Sequence, residues 1–366
     1  MALLFWLPLL IVVYAYVGYP VVLRLFCRKK PVVRAFGTPR VSVIIAAHNE
    51  ERTLPHKLSA LQSVDYPAHC LQVIIVSDGS TDRTPEILRA ASNHVQSIIL
   101  EQSVGKAVAL NCGVAQATGE VLVFLDARQS LEPNAIPELV SCLADPTVGA
   151  VSGELLLESQ DGTPSSDALG LYWKIEKLTR KLESATGSVV GVTGAIYAMR
   201  RELFTPIPAG TLLDDVLIPL QVARAGKRVV FHPGAIARDR VFPESSKEFN
   251  RKVRTLTGNY QLLRLAPWLL SSRNPLLFRL VSHKLLRLAV PFLLILMMLS
   301  SAVLEGPFYR AALIAQLLFY GSALTGLLAP AARNVRAVSV PYTFTMLNVA
   351  AAKAFYNFIG GRTRWA

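Results

Sequence analysis

The sequence predicts an α/β domain with a mostly parallel β-sheet, flanked at both ends of the chain by apolar segments. Two hydrophobic runs, residues 73–76 and 121–125, lead into Asp78 and Asp126. Four or five apolar residues that end near an acid are typical of buried parallel strands. Such strands place the acid at the carboxyl edge of the sheet, where ligands of open α/β sheets bind.

The middle of the chain alternates predicted strands with predicted helices, which favours a parallel sheet. A polar loop is expected near residues 159–167, and Thr81 or Asp82 is expected to cap the second helix. The predicted strands are 41–46, 71–76, 97–100, 121–125 and 148–154, and the predicted helices are 51–63, 81–91, 106–117 and 170–183.

Hydrophobic residues make up 52% of the chain, and the excess lies at its two ends. Residues 3–23, 288–304 and 311–330 are each long enough to cross, or nearly cross, a hydrocarbon core. Residues 340–359 are ambiguous because they include Asn348 and Lys353. We therefore divide the chain into an anchor (1–24), a central domain (40–260), interfacial amphipathic helices (261–287) and a C-terminal membrane region (288–366).

The distribution of cations predicts the topology. Six Lys or Arg residues follow the first apolar run between Arg24 and Arg40, and none precedes it. The positive-inside rule then places the N-terminus outside and the central domain in the cytoplasm of a multi-pass protein, expected in a bacterial inner or plasma membrane. The first run lacks a basic leader and a cleavage site, so we expect a retained anchor. If residues 340–359 spanned the membrane, Arg362 and Arg364 would lie outside, which favours an interfacial or re-entrant helix there.

The net charge of +13 has two explanations. Nucleic-acid binding is one, but the chain has no basic stripe with interleaved aromatic residues and no nucleic-acid motif. Attraction to anionic lipid and to a nucleotide diphosphate is the other, and we favour it because cations cluster beside the apolar segments. The four cysteines form no C-x-x-C pair, so buried free thiols are expected.

Sequence blocks along the central domain resemble a known family. The blocks VSVIIAAHNEE, VIIVSDGSTDRT, GKAVALN and VFLDAR occur in this order from residue 41 to residue 128, followed by TLLDDVL (211–217) and RKVRT (251–255). Together they resemble the family 2 glycosyltransferases of GT-A fold, in the cellulose-synthase-like branch. The resemblance covers about residues 40 to 260, and it implies a Rossmann-like cytoplasmic domain that transfers sugar from a nucleotide-sugar, with a UDP-sugar as the expected donor.

The resemblance assigns the nucleotide end of the site to four residues. Glu50 and Asp78 would contact the nucleoside, Gly79 would let backbone approach closely, and Lys106 would lie near the nucleotide. Three of them have a plainer interpretation. Glu50 could be an acid in the first turn of a helix, where the helix dipole favours it. Asp78 could be a turn-forming Asp before Gly, and Lys106 could be a solvated lysine at the start of a helix.

One expected carboxylate is missing. Family members usually carry D-x-D, whose two acids place Mn²⁺ or Mg²⁺ against the diphosphate, whereas this chain has Asp126 followed by Arg128. Asp126 would hold a metal alone with water and phosphate, or Arg128 would neutralise the diphosphate itself. An inactive site is the third alternative. A divalent cation is thus a possible cofactor whose requirement Arg128 puts in doubt.

The acid pair Asp214-Asp215 stands where the family carries its catalytic acids. The resemblance makes Asp215 the base that takes the acceptor proton, with Asp214 raising its pKa. Two acids at a helix N-terminus are the plainer interpretation. Arg254 matches the arginine of the family's Q-x-x-R-W segment, but Arg251 replaces Gln and the Trp is absent, so long-polymer synthesis is in doubt. Gly194 belongs to a segment that resembles the family's loop bordering the acceptor.

These observations predict an inverting glycosyltransferase that acts on a lipid-linked or polysaccharide acceptor at the cytoplasmic membrane face. Three or four spans are few for a self-sufficient export channel, which favours either transfer to a lipid or help from an export or polymerisation partner protein. The alternative is a weakly active or inactive nucleotide-sugar-binding subunit of a polysaccharide synthesis complex. Arg128 supports that alternative, whereas Asp126, Asp214-Asp215 and Arg254 argue against it.

Overall fold

The structure is a computed structural model that describes residues 2–158, 167–240 and 245–361. The predicted polar loop falls on residues 159–166 and therefore lies outside the described residues. Arg362 and Arg364, which entered the topology argument, also lie outside them.

One eight-stranded mixed sheet forms the centre of the protein, with the order β3-β2-β1-β4-β7-β6-β8-β5. The strands are β1 (Val41–Ala47), β2 (Leu71–Asp78), β3 (Gln96–Leu100), β4 (Val121–Asp126), β5 (Ser130–Leu131), β6 (Val148–Glu158), β7 (Ile196–Arg200) and β8 (Arg228–Arg240).

The first four strands are parallel, as the sequence predicts, and the rest of the sheet is mixed. β1 pairs with β2 on one side and with β4 on the other. β7 runs antiparallel to both β4 and β6, whereas β6 and β8 are parallel. The chain turns back between β1 and β4, so a topological switch point lies at their carboxyl ends, where such sheets bind ligands.

Thirteen helices are defined in the described part of the chain, and most match a predicted one. They are α1 (Leu3–Val13), α2 (Tyr19–Phe26), α3 (Leu54–Gln62), α4 (Thr84–Ala90), α5 (Lys106–Ala115), α6 (Ala135–Cys142), α7 (Asp167–Thr186), α8 (Asp214–Arg224), α9 (Ser245–Leu265), α10 (Leu277–Leu280), α11 (Leu286–Val303), α12 (Pro307–Leu328) and α13 (Arg336–Ile359).

The start of α4 differs from the prediction. The helix begins at Thr84, and neither Thr81 nor Asp82 occupies its cap position. Asp82 instead accepts a hydrogen bond of 2.9 Å from the backbone N–H of Thr84, and its carboxylate also accepts one from the N–H of Glu51. Asp82 therefore joins the start of α4 to the segment that follows β1.

Alternating residues of the strands bury two opposite faces of the sheet. On β1, Ile44 packs into the core that includes Leu110 and Val216, whereas Val43 and Ile45 pack into the opposite core with Leu54. All six are buried. Burial on both faces explains why these strands are continuous hydrophobic runs instead of alternating ones.

Within the described chain, three helical stretches are long and apolar enough to cross a membrane: Leu3–Phe26, Leu277–Val303 and Pro307–Leu328. The second begins eleven residues before the predicted start at 288 and takes in the end of the segment predicted to be interfacial. Residues 340–359 belong to the continuous helix α13, which is not one of the three and packs against α9, α11 and α12.

A buried polar cluster joins the first two apolar stretches to the central domain. His283 lies between two carboxylates of α7, with Nδ1 at 2.9 Å from Glu183 and Nε2 at 3.0 Å from Glu176. The Tyr19 hydroxyl, from the first stretch, donates to Glu183 at 2.6 Å. Buried charges at such positions hold their partners in one geometry, so α7 has a fixed position relative to both apolar stretches.

Candidate active site

A cavity of about 850 Å³ opens at the carboxyl edge of β1 and β4. Every site residue predicted from the sequence lines it except Gly79, which lies just behind its wall. The predicted residues that line it are Glu50, Asp78, Lys106, Asp126, Arg128, Gly194, Asp214, Asp215, Arg251 and Arg254.

A strained turn after β1 shapes one end of the cavity. Asn49 has a positive φ of 55°, the only such non-glycine residue among those described. Its side-chain oxygen accepts a hydrogen bond of 2.9 Å from the N–H of Thr81, which compensates for the backbone conformation. The turn carries Glu50 into the cavity wall, where the Thr53 hydroxyl donates to its carboxylate.

Asp78 organises the loop before α5. Its carboxylate accepts hydrogen bonds from the N–H groups of Val104 (2.7 Å) and Gly105 (2.9 Å) and from the Ser103 hydroxyl (3.1 Å). Three donors engage this buried carboxylate from within the protein, so its first task is to hold the loop. Gly79 allows the same loop to approach, because with φ at +58° an added Cβ would lie 2.1 Å from the N of Ser103.

The loop positions Lys106 at the cavity floor, at the first residue of α5. Its Nζ lies 2.9 Å from Asp126 and 3.6 Å from Asp214. Burial lowers the pKa of Lys106, but the carboxylates outweigh that effect and raise it above the ordinary value. Gly194 keeps this ion pair accessible, because a Cβ there would lie 3.6 Å from both the Lys106 and the Asp126 side chains.

Asp215 lies in the first turn of α8, beside this ion pair. Burial and the neighbouring Asp214 carboxylate raise its pKa to about 6, against the opposing effect of Lys106 and Lys284. The backbone carbonyl of Asp215 accepts a hydrogen bond of 2.8 Å from the N–H of Val192, which fixes the glycine-rich loop against α8. A carboxylate with a pKa near neutrality is suited to accept a proton during catalysis.

Arg128 has a carboxylate partner that the sequence did not indicate. Its guanidinium lies 2.5 Å from Asp239 of β8, a buried acid that also accepts a hydrogen bond of 3.1 Å from Gln129. The Arg128 side chain remains 44% exposed and lines the cavity. Because a guanidinium has five N–H donors, the contact with Asp239 leaves others that can bind an anion.

These carboxylates fit a divalent cation poorly. Mg²⁺ and Mn²⁺ require several oxygen ligands, but Asp126 is paired with Lys106, and Asp239 with Arg128. In the described part of the chain, no three His, Cys, Asp or Glu side chains converge into a metal site. Both carboxylates are thus paired with basic side chains in this structure.

Several residues in the cavity wall or behind it were not predicted from the sequence. Lys57 of α3 is buried, its Nζ has no hydrogen-bond partner, and burial lowers its pKa to about 8. Asp126, Glu50 and Asp239 oppose that shift, so Lys57 adds positive charge behind the floor. Lys284 and Glu176 line the wall towards the apolar stretches. None of them belongs to a recognisable motif, and only the fold brings them here.

Comparison with known proteins identifies the domain that carries this cavity. Residues 42–207 match the family described as glycosyl transferase family 2. The chain carries a glycosyl transferase family 2 domain. The match includes Glu50, Asp78, Lys106 and Asp126, so the matched region supplies part of the cavity lining.

Two curated relatives of this glycosyltransferase match well over half of its length. The probable glycosyltransferase YdaM of Bacillus subtilis is 29% identical over 66% of this chain and 60% of the relative. A poly-beta-1,6-N-acetyl-D-glucosamine synthase of Staphylococcus epidermidis is 24% identical over 61% of this chain and 55% of the relative. The match thus spans less than two thirds of the length of either relative.

A solved structure extends the likeness to nearly the whole fold. The mannosyltransferase PcManGT of Pyrobaculum calidifontis, in complex with GDP-Man and Mn²⁺, superimposes with a TM-score of 0.74. The superposition covers 97% of this glycosyltransferase and 99% of that chain, at 24% sequence identity. The prediction of a GT-A fold with apolar helices at both ends is therefore confirmed.

Proposed function

We propose that this family 2 glycosyltransferase inverts the anomeric centre of a nucleotide-sugar while transferring the sugar to a hydroxyl acceptor at a membrane surface. The observation that carries the proposal is the position of Asp215. This carboxylate has a pKa of about 6 and lies in one cavity with the Lys106–Asp126 ion pair. A base and a cationic floor for the departing diphosphate are the two requirements of such a transfer.

The reaction proceeds in one displacement. As the acceptor oxygen bonds to the anomeric carbon, the bond from that carbon to the diphosphate oxygen breaks, and Asp215 takes the acceptor proton. The nucleoside diphosphate leaves with the bonding electrons, and Lys106 and Arg128 neutralise its charge. Glu50 and the turn around Asp78 bind the nucleoside at the other end of the cavity, while Arg251 and Arg254 of α9 cover the diphosphate.

Basic residues, not a metal ion, supply most of the diphosphate-binding charge in this proposal. The pairing of Asp126 with Lys106 and of Asp239 with Arg128 supports it. PcManGT binds Mn²⁺ together with GDP-Man. The two proteins would therefore share a fold and differ in the source of the positive charge that binds the diphosphate.

A UDP-sugar is the proposed donor, with UDP-N-acetylglucosamine first among the candidates. The curated Staphylococcus epidermidis relative makes a polymer of N-acetylglucosamine, which supports this sugar. The acceptor is a lipid-linked or glycan hydroxyl that reaches the cavity from the cytoplasmic membrane face. The three apolar helical stretches and the cations that follow the first of them support that location.

One observation favours a second candidate. Because Lys106 and Asp126 neutralise each other at the cavity floor, the chain would also suit a weakly active or inactive nucleotide-sugar-binding subunit of a polysaccharide synthesis complex. Such a subunit would bind UDP without turning over a donor.

The deciding measurement is nucleotide release by the purified full chain in lipid nanodiscs, supplied with a panel of UDP-sugars and with GDP-mannose, with and without EDTA. We expect UDP release from UDP-N-acetylglucosamine that persists in EDTA. UDP binding without turnover of any donor would contradict an active transferase and favour the binding subunit.

A further inference from the structure

A lysine of the second apolar stretch faces the cavity. Lys284 lies in the π-helical turn Val281–Leu285, near the start of Leu277–Val303, and it lines the same cavity as Asp215. Its side chain is partly buried. No hydrogen bond or ion pair is found for it in the described chain, although it lies close enough to Asp215 to influence that carboxylate.

Besides Asp215, the charge of Lys284 acts on Glu176, which already has other partners. Glu176 lies 3.0 Å from His283 and 2.8 Å from Arg287. Lys284 therefore influences Asp215 and Glu176 through space, but its ammonium group forms no direct ion pair with a described carboxylate. A partly buried charge without a partner is unfavourable unless a ligand supplies the opposite charge.

Two further cations extend this positive surface along α7. Lys174 and Arg180 line the same cavity wall, and neither forms an ion pair with a described residue. We call Lys174, Arg180 and Lys284 the membrane-side cations, because α7 packs against α2 and α13 and Lys284 belongs to an apolar stretch. They are separate from Lys106 and Arg128, which lie at the sheet edge.

We propose that the membrane-side cations bind the phosphate of a membrane lipid that carries the acceptor hydroxyl. The inference rests on the proposed glycosyl transfer, and it adds the chemical class of the acceptor. Lysines near the ends of spanning helices lie at the depth of lipid headgroups, and basic pockets between such helices bind headgroup phosphates. Lys284 faces the cavity, so the phosphate that it binds lies inside the site.

In this proposal the lipid phosphate binds the protein, and a separate hydroxyl group is the nucleophile. A phosphate oxygen is already ionised near neutral pH and needs no base, whereas the arrangement around Asp215 provides one for a hydroxyl. The lipid would thus be held at its phosphate by Lys284 while a hydroxyl further along the headgroup reaches Asp215.

The test is calorimetric titration of the full chain in dodecyl maltoside with dihexanoyl phosphatidic acid, dihexanoyl phosphatidylcholine and inorganic phosphate. We expect phosphatidic acid to bind more tightly than the other two, because it alone combines an uncompensated phosphate with a lipid. Lys284→Gln should weaken its binding by roughly 10- to 100-fold, as expected for a lost charge-assisted hydrogen bond. Lys284→Arg should retain most of the affinity.

Lys29→Gln is the matched control, since it removes one exposed positive charge beside the first apolar stretch and away from the cavity. It should bind phosphatidic acid as the wild type does. Unchanged affinity in Lys284→Gln, or inorganic phosphate binding as tightly as phosphatidic acid, would overturn the inference. Tetragalacturonic acid is titrated in the same way. If it binds in place of phosphatidic acid, and Lys284→Gln weakens that binding, the inference is overturned in favour of an acidic glycan.

UDP titrations of the same samples separate this inference from the proposed function. A protein that binds UDP, but binds phosphatidic acid no better than phosphatidylcholine, contradicts the lipid-phosphate site alone. A protein that binds neither UDP nor any UDP-sugar contradicts the proposed function.

Discussion

Lys106 Nζ lies 2.9 Å from the Asp126 carboxylate, at the point where the family usually places a metal ion between carboxylates and diphosphate. The pair joins the first residue of α5 to the last residue of β4. The charge chemistry of the site therefore depends on which basic side chain each acid contacts.

Asp215→Asn should abolish transfer while leaving donor binding nearly intact. Asparagine preserves the shape of the side chain but cannot accept the acceptor proton, and a general base supplies ~10²–10⁴-fold in rate. Transfer rates and UDP affinity of the variant would be measured together. Asp65→Asn, at an exposed position outside the cavity, is the control and should have wild-type rates. A variant that keeps more than roughly a tenth of the wild-type rate would show that another group is the base.

The transfer rate should rise with pH through about 6 and then level off. Asp215 acts only when ionised, and burial together with Asp214 raises its pKa to about 6. Asp126 also raises this pKa, whereas Lys106 and Lys284 lower it, so Lys284→Gln should move the midpoint to higher pH. Rate profiles at saturating donor provide the measurement. A rate that is independent of pH across this range would argue against Asp215 as the base.

Arg128→Ala should weaken UDP binding by roughly 10- to 100-fold, because a guanidinium that pairs with phosphate contributes a charge-assisted hydrogen bond. Asp239→Asn removes the carboxylate partner of Arg128 and should preserve UDP binding. Arg128→Asp should bind weakly alone and recover with Mn²⁺. Calorimetry with and without EDTA tests all of these proteins. Complete loss of wild-type binding on chelation would establish an ordinary metal site at Asp126 instead.

Gly79→Ala should lower the unfolding temperature and weaken UDP binding. An added Cβ would lie 2.1 Å from the Ser103 N, and the positive φ adds strain of about 1–3 kcal/mol. The displaced loop would also release Lys106 from its position. Gly321→Ala in α12 is the control, since its Cβ would meet nothing within 4 Å. Equal unfolding temperatures for Gly79→Ala and wild type would contradict this close approach.

The central domain should be cytoplasmic and the turn between α11 and α12 external. In a cysteine-free variant, a cysteine at exposed position 305 should react with an impermeant thiol reagent on intact cells. A cysteine at exposed position 65 should react only after the cells are lysed. Labelling of position 65 on intact cells would reverse the topology that the cations predict.

Local sequence patterns determined much of the fold. Buried parallel strands must be hydrophobic on both faces, so β1, β2 and β4 are visible as apolar runs, and the acids at their ends mark the edge where the cavity opens. The family blocks located Glu50, Lys106 and Asp215, because each stands at a fixed distance from a strand or helix end.

Only the tertiary structure decided which charged side chains lie close together. Arg128 and Asp239 are 111 residues apart, and no local period relates a turn residue to the last part of β8. Lys284 was visible in the sequence only as a cation beside an apolar segment, yet the packing of α7 against the apolar stretches places it in the cavity wall. Sequence periodicity specifies which face of a single helix or strand is buried. The neutralisation of a charged side chain depends instead on side chains that distant elements bring within a few ångströms of it.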